Sequence, residues 1–283
     1  VDSSKLAEGN YPSVEKRFSV ATYVADQTYI PIPSDRLKVT DGLLHLRRCG
    51  YNAIRVHGIE NWLMSGQDGA VSFNPERLDL FYFFLSEAKR IGLYWIINPQ
   101  SYNLYTDMDG ATNRFSYTSA TNCKPRIYVE QDIRDNWKAG FVALYLSVNP
   151  YTGISTIQDP ALVQVELFNE SGVAFVAAEA FPAQWKTRTT GSTAAAKTWV
   201  EWLSDTTASH GYTSLAALNI SWGTSHASYA AAAAQATPAL TATIAATQQS
   251  IDAVLYGLFL EDDLAAFYQA CLTEWGYTGL SCM

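Results

Sequence analysis

The sequence predicts an α/β chain: about five strands of a (β/α)8 barrel, incomplete at that count, with a helical excursion after the fourth strand. Short apolar strands alternate with helical patterns, which is the signature of βα units feeding a parallel sheet. Polar clusters fall at the carboxyl ends of those strands. After Glu170 the rhythm changes, and residues 171–250 read as an insertion within one domain spanning 1–283.

The elements follow in order. Phe18-Ser-Val-Ala-Thr-Tyr-Val24 reads as the first strand. A helix capped near Ser34 runs to Arg48, with Leu37, Leu43, Leu44 and Leu46 expected on one side. Asn52-Ala-Ile-Arg-Val-His57 is the second strand. Asn74-Pro75-Glu76 has the form of a helix start, and that helix stops at Ile91-Gly92. Leu93–Asn98 is the third strand, followed by a polar loop from about Gln100 to Pro125 and a helix from Asp132 to Leu146. Asn149–Gly153 is a turn, and Ala161–Phe168 is the fourth strand, ending in Asn169-Glu170.

In the excursion the run Tyr229-Ala-Ala-Ala-Ala-Ala-Gln could be a low-complexity linker, but alanine is also the best helix former, and ordered helix is favoured. A long helix then covers Thr247–Trp275, and Gly276–Met283 reads as a fifth strand.

Composition narrows the function classes. Charged residues make up only 16% against 48% apolar, too few for a disordered or coiled-coil chain. Nineteen Lys+Arg against 27 Asp+Glu argue against a nucleic-acid partner, which needs a basic footprint. No apolar stretch is long enough to span a bilayer, so no membrane partner is expected.

The four cysteines, Cys49, Cys123, Cys271 and Cys282, lack the spacing of a zinc site. Neither a metal nor a cofactor is expected, and disulfide pairing stays open. The chain begins at Val1 without a signal peptide, as a processed chain or a fragment does. Its few lysines and abundant Ser, Thr and Tyr lean toward a secreted or extracellular protein.

Three strand-end clusters could carry chemistry. Asn169-Glu170 ends the fourth strand, where a barrel lines its active face. A protonated Glu170 there could donate to a glycosidic oxygen while Asn169 holds a hydroxyl; the plain alternative is that Asn-Glu-Ser caps the next helix. At the second strand, alternation sends Arg55 and His57 to one side, with Glu60 just beyond. Arg55 could hold a catalytic glutamate ionised and His57 could bind a hydroxyl, unless the group is a buried structural ion pair. Asn98, Gln100 and Tyr102 end the third strand and suit hydroxyl recognition. Trp62 and Trp222 could stack on sugar faces, though most tryptophans are simply buried. Asp107-Met-Asp109-Gly110 lacks the later ligand of a calcium loop and reads as a turn.

Together these stretches resemble the clan A glycoside hydrolases, most of all the family 5 cellulase-like barrels. The resemblance is carried by Leu46-Arg-Arg-Cys-Gly-Tyr-Asn-Ala-Ile-Arg-Val-His57, Phe73-Asn-Pro-Glu-Arg-Leu-Asp79, Ile91-Gly-Leu-Tyr94, Val148-Asn-Pro-Tyr-Thr-Gly153 and Asp159-Pro-Ala-Leu-Val-Gln-Val-Glu-Leu-Phe-Asn-Glu170, in matching order and spacing. Tyr212–Thr224 is similar to a segment that follows the acid/base in related enzymes.

The resemblance implies a retaining hydrolase of a β-linked polysaccharide or oligosaccharide. Glu170 would be the acid/base, Asn169 would lie on the substrate and Arg55 beside the nucleophile. The chain departs from the pattern at His57-Gly-Ile-Glu60, where members often carry His-His-Met-Asp, and at Asn98-Pro-Gln100, where they often carry Asp-Leu-His. The nucleophile belongs to a later strand than the five read here, and Glu261 and Glu274 sit in helical surroundings. Two readings follow. A missing C-terminal part, a second polypeptide or self-association completes the barrel, or the chain is a hydrolase-derived structural or carbohydrate-binding protein that assembles into oligomers or filaments.

Overall fold

The computed structural model describes residues 17–24, 36–64, 67, 70–99, 123–178, 180–237, 240 and 247–282. Gln100, Tyr102, the Asp107–Gly110 turn and the Ser34 cap lie outside the described residues. The first half is a run of βα units. Strand β1 (Val20–Val24) is followed by helix α1 (Arg36–Arg48), then by β2 (Ala53–His57), a short α2 (Ile59–Met64), α3 (Pro75–Ile91) and β3 (Tyr94–Ile97).

Helix α3 starts and stops where the sequence says. The Asn74 side chain accepts from the N–H groups of Glu76 and Arg77, Pro75 occupies the first turn, and Gly92 closes the helix at φ 85°. Helix α1 differs from expectation. Val39 and Leu43 are its buried residues, with Leu46 packed against the core, whereas Leu37 is 75% exposed. Two positions apart is about 200° around a helix, so Leu37 cannot share a face with Val39.

After β3 the structure resumes at α4 (Cys123–Val129), inside the stretch read as polar loop, and continues as α5 (Gln131–Phe141) with a π-helical turn over Val142–Leu146. The helix expected over Asp132–Leu146 is thus α5 with its π-helical turn, and α4 is a further helix before it. Glu130 separates the two with an extended backbone, and its Oε1 accepts from the Thr189 N–H and hydroxyl. Strand β4 (Leu162–Glu166) follows.

The excursion is a chain of short helices: α6 (Val173–Val176), α7 (Ala183–Lys186), α8 (Trp199–Ser204), α9 (Leu215–Trp222) and α10 (Tyr229–Ala234). The alanine run is therefore helix. The Ser228 hydroxyl accepts from the Ala231 N–H, and Ala232 and Ala233 are buried. Helix α11 (Gln248–Glu274), capped by Thr247, leads to β5 (Leu280–Cys282). That strand is shorter than expected because Gly276, at φ 68°, first turns the chain off the helix.

All five strands pair in parallel in the order β1-β2-β3-β4-β5, as consecutive staves of a (β/α)8 barrel do. The architecture among the described residues is α/β, an incomplete barrel of five strands. Among the described residues β1 and β5 each have a strand neighbour on one side only. Register places Thr22, Arg55, Ile96, Gln164 and Leu280 in one row on one face. The opposite face, with Ile54, Val56, Trp95, Ile97 and Val165, is buried under the helices.

One contiguous core runs from that face into the excursion. Trp137 packs against Phe141, Tyr268 and Trp275, while Trp185, Trp199 and Trp202 gather around Tyr256 of α11. Cys49, Cys271 and Cys282 are free thiols. No helix among the described residues is long and apolar enough to cross a membrane.

Candidate active site at the strand ends

Arg55 and Glu166 are the only full charges within the five strands. A charge in a parallel strand covered by helices needs a partner, and these two meet. The Arg55 Nε donates to Glu166 Oε2 at 2.6 Å and Nη2 donates to Oε1 at 2.7 Å, a two-pronged pair that is mostly shielded from solvent. The same Nη2 donates to Asn169 Oδ1 at 2.7 Å. Because its oxygen is taken, the Asn169 amide presents its NH2 as a donor to whatever approaches.

The turn that follows β4 is pinned from below. Trp137 Nε1 donates to the Leu167 carbonyl, Ser171 Oγ to that of Phe168, and the Tyr128 hydroxyl to that of Ser171. Glu170 sits at φ 51°, in the left-handed region that a glutamate rarely adopts. Its side chain is half exposed at the mouth, and the buried Lys124 ammonium lies 3.5 Å from Oε2. Lys124 also sits 5.1 Å from the centre of the Phe175 ring. Asn-Glu-Ser does not cap α6, since Gly172 occupies the cap without a side-chain bond.

His57 and Asn98 complete the cluster. Both are buried, they hydrogen-bond to each other, and Asn98 Nδ2 donates to the Glu166 carbonyl at 3.2 Å. Burial, and then the Arg55 charge, push the His57 imidazole below its ordinary pKa; Glu166, Asn98 and Glu170 oppose that. His57 is therefore held toward its neutral form. The structure thus brings together Arg55, His57, Asn98, Asn169 and Glu170.

Other expected residues stand apart from this cluster. Glu60 is wholly buried in α2, where its charge adds to burial in raising the Tyr145 hydroxyl. Trp222 belongs to the aromatic cluster of the excursion: its indole N–H donates to Asp252 and its ring stacks on Trp199. Trp62 is half-buried against the core. Glu261 accepts from the Val173 N–H, and Glu274 pairs with Lys138.

Sequence reasoning passed over two members. Glu166 had a signal, because a lone glutamate inside an apolar strand demands a cation and Arg55 was the only one in a strand. Lys124 had none, since its neighbour Glu170 is remote in sequence. Among the described residues no group of three or more His, Cys, Asp or Glu side chains could hold a metal ion.

No protein-family model matches this chain, and no curated protein matches it. Among solved structures it is similar to the endo-β-1,4-mannanase from Thermotoga petrophila, at 18% identity and TM-score 0.43, over 59% of this chain and 38% of that one. It is also similar to the endo-1,4-β-mannanase from Rhizomucor miehei, at 15% and 0.43, over 60% and 52%, and to a glycoside hydrolase family 5 mannosidase from Rhizomucor miehei, at 13% and 0.40, over 55% and 45%. The chain spans about two fifths to one half of the length of these structures.

Proposed function

We propose that this chain carries the acid/base side of a retaining glycoside hydrolase acting on a β-linked polysaccharide or oligosaccharide outside the cell. The observation that carries the reading is the Arg55 fork. By gripping Glu166 and Asn169 at once, it orients the amide donor and sets the adjoining Glu170 at the strand mouth. In this mechanism Glu170, protonated, gives its proton to the glycosidic oxygen as the bond breaks, then takes a proton from the water that releases the sugar. The Asn169 NH2 holds a ring hydroxyl, and His57 and Asn98 stand behind it; Gln100 and Tyr102 belong to the same strand end in sequence.

A retaining mechanism needs a second carboxyl about 5–5.5 Å from the first. Glu166 is occupied by Arg55, so the nucleophile comes from a further strand, brought by another part of the protein, a second polypeptide or another copy. The test is hydrolysis of β-linked oligosaccharides by the protein in its complete assembly. Glu170→Gln is expected to lower the rate by about 10²–10⁴-fold, the worth of a positioned general acid. An assembly that hydrolyses as fast with Glu170→Gln as without it would refute the assignment.

One observation favours a second reading, a carbohydrate-binding or structural protein without turnover. The charged group beside Glu170 is the Lys124 ammonium, where hydrolysis asks for a second carboxyl. Glycan binding with no released product over prolonged incubation of the full assembly would select this reading.

A further inference from the structure

Helix α7 stands between two clefts that lie outside the strand-end cluster. On one side Lys186, Val200, Ala230, Ala233 and Ala234 wall a cavity of about 310 Å³ whose surface is almost wholly apolar. On the other, Arg126, Gln184, Arg188, Thr189 and Thr190 wall a mainly polar one of about 340 Å³. Ala183 and Thr187 line both. Ala183 opens the helix and Thr187 caps it with an extended backbone, so the side chains common to the two clefts are only a methyl group and a short hydroxyl. Each cleft is at the small end of ligand-sized cavities, and together they fit a molecule with an apolar body and a polar head.

The charge of the lining decides which head. Among the described residues no carboxylate lines either cleft; the ionisable groups that do are Lys186, Arg126 and Arg188. Arg188 is already used, donating to the carbonyls of Val129 and Ala196 and to both oxygens of Glu201. Lys186 donates to the Gln235 carbonyl at 3.0 Å. Arg126 has capacity left. Its Nη1 donates to the Thr189 hydroxyl and lies 3.7 Å from the buried Glu130, while Nη2 makes no hydrogen bond among the described residues and the side chain is one-fifth exposed in the polar cleft. A partly shielded guanidinium donor in that condition offers a charged partner to an acceptor entering the cleft.

We propose that the paired clefts bind an amphipathic carboxylate, its aryl or alkyl body in the alanine-lined half and its carboxylate against Arg126 and the hydroxyls of Thr187 and Thr190. This site does not depend on the role given to Glu170. Calorimetric titration of the full chain with phenylbutyrate and with uncharged phenylbutanol tests it. Phenylbutyrate is expected to bind about tenfold more tightly than the alcohol, the worth of a hydrogen-bonded charge.

Two substitutions at exposed positions localise the binding without touching the core. Ala234→Trp fills the apolar half and is expected to weaken both ligands about tenfold. Thr190→Glu sets a negative charge in the polar half and is expected to weaken the acid about tenfold while leaving the alcohol unchanged. The proposal is overturned if phenylbutyrate does not bind, if acid and alcohol bind equally, or if the acid is indifferent to both substitutions.

Discussion

Arg55 makes three side-chain hydrogen bonds to two residues more than a hundred positions away, and each partner would be left with a shielded, unpaired oxygen if the guanidinium were removed. Losing one partner of such a pair costs more than the pair contributes, because the survivor stays desolvated. Arg55→Met is therefore expected to destabilise the chain by about 2–3 kcal/mol, read from chemical denaturation. Arg55→Lys should recover little of this, since an ammonium cannot span both carboxylate oxygens and the amide.

His57 gives the same scale a pH dependence. Its folded pKa lies below the ordinary value of 6.5, so the unfolded chain binds its proton first as pH falls. The stability it contributes is full above about pH 6.5 and is lost as pH falls through the folded pKa. The denaturation midpoint should drop as pH falls below about 6.5, and His57→Gln should flatten that part of the profile.

At the scale of elements, the excursion is fastened to the strand mouth by α11. Glu261 accepts from the Val173 N–H two residues beyond Ser171, and Gly257, one helical turn earlier, allows the close approach. A Cβ on Gly257 would come within 2.9 Å of Val173 Cγ1 and 3.0 Å of Leu240 Cδ1. Gly257→Val is therefore expected to cost about 2 kcal/mol in thermal or chemical unfolding, although glycine is a poor helix residue, because the overpacking exceeds the propensity gained. Should α11 accept valine there without loss, its contact with α6 would not be the fastening described.

Across the whole molecule, the sheet is buried on its helix side, and among the described residues no further strand pairs with either edge. Leu280 is 67% exposed and every residue of β5 is exposed, while Ile54, Val56 and Ile97 are buried at the centre. Hydrogen exchange should follow that gradient, with β2 and β3 amides slowest and β5 amides fast. An edge of this kind invites pairing with another strand. If a further strand completes the barrel, β5 exchange is expected to slow in the complete assembly; unchanged fast exchange there would place the nucleophile elsewhere than beside β5.

The βα rhythm, the start and stop of α3, the order of the strands and the polar ends of β2, β3 and β4 were all legible in the sequence. They rest on local signals: periodicity, a capping asparagine, a glycine at positive φ, and alternation along a strand. Alternation also placed Arg55 and His57 on one side, and left open whether Arg55 served a site or a buried pair. Only the tertiary structure decided that it forms a shielded pair, by bringing Glu166 and Asn169 of β4 and its turn onto one guanidinium. It likewise set Lys124 beside Glu170, drew Trp222 into the excursion, buried Glu60 and tied Glu130, between α4 and α5, to Thr189. Each of these is a contact between residues distant in the chain, which packing determines and no local pattern encodes.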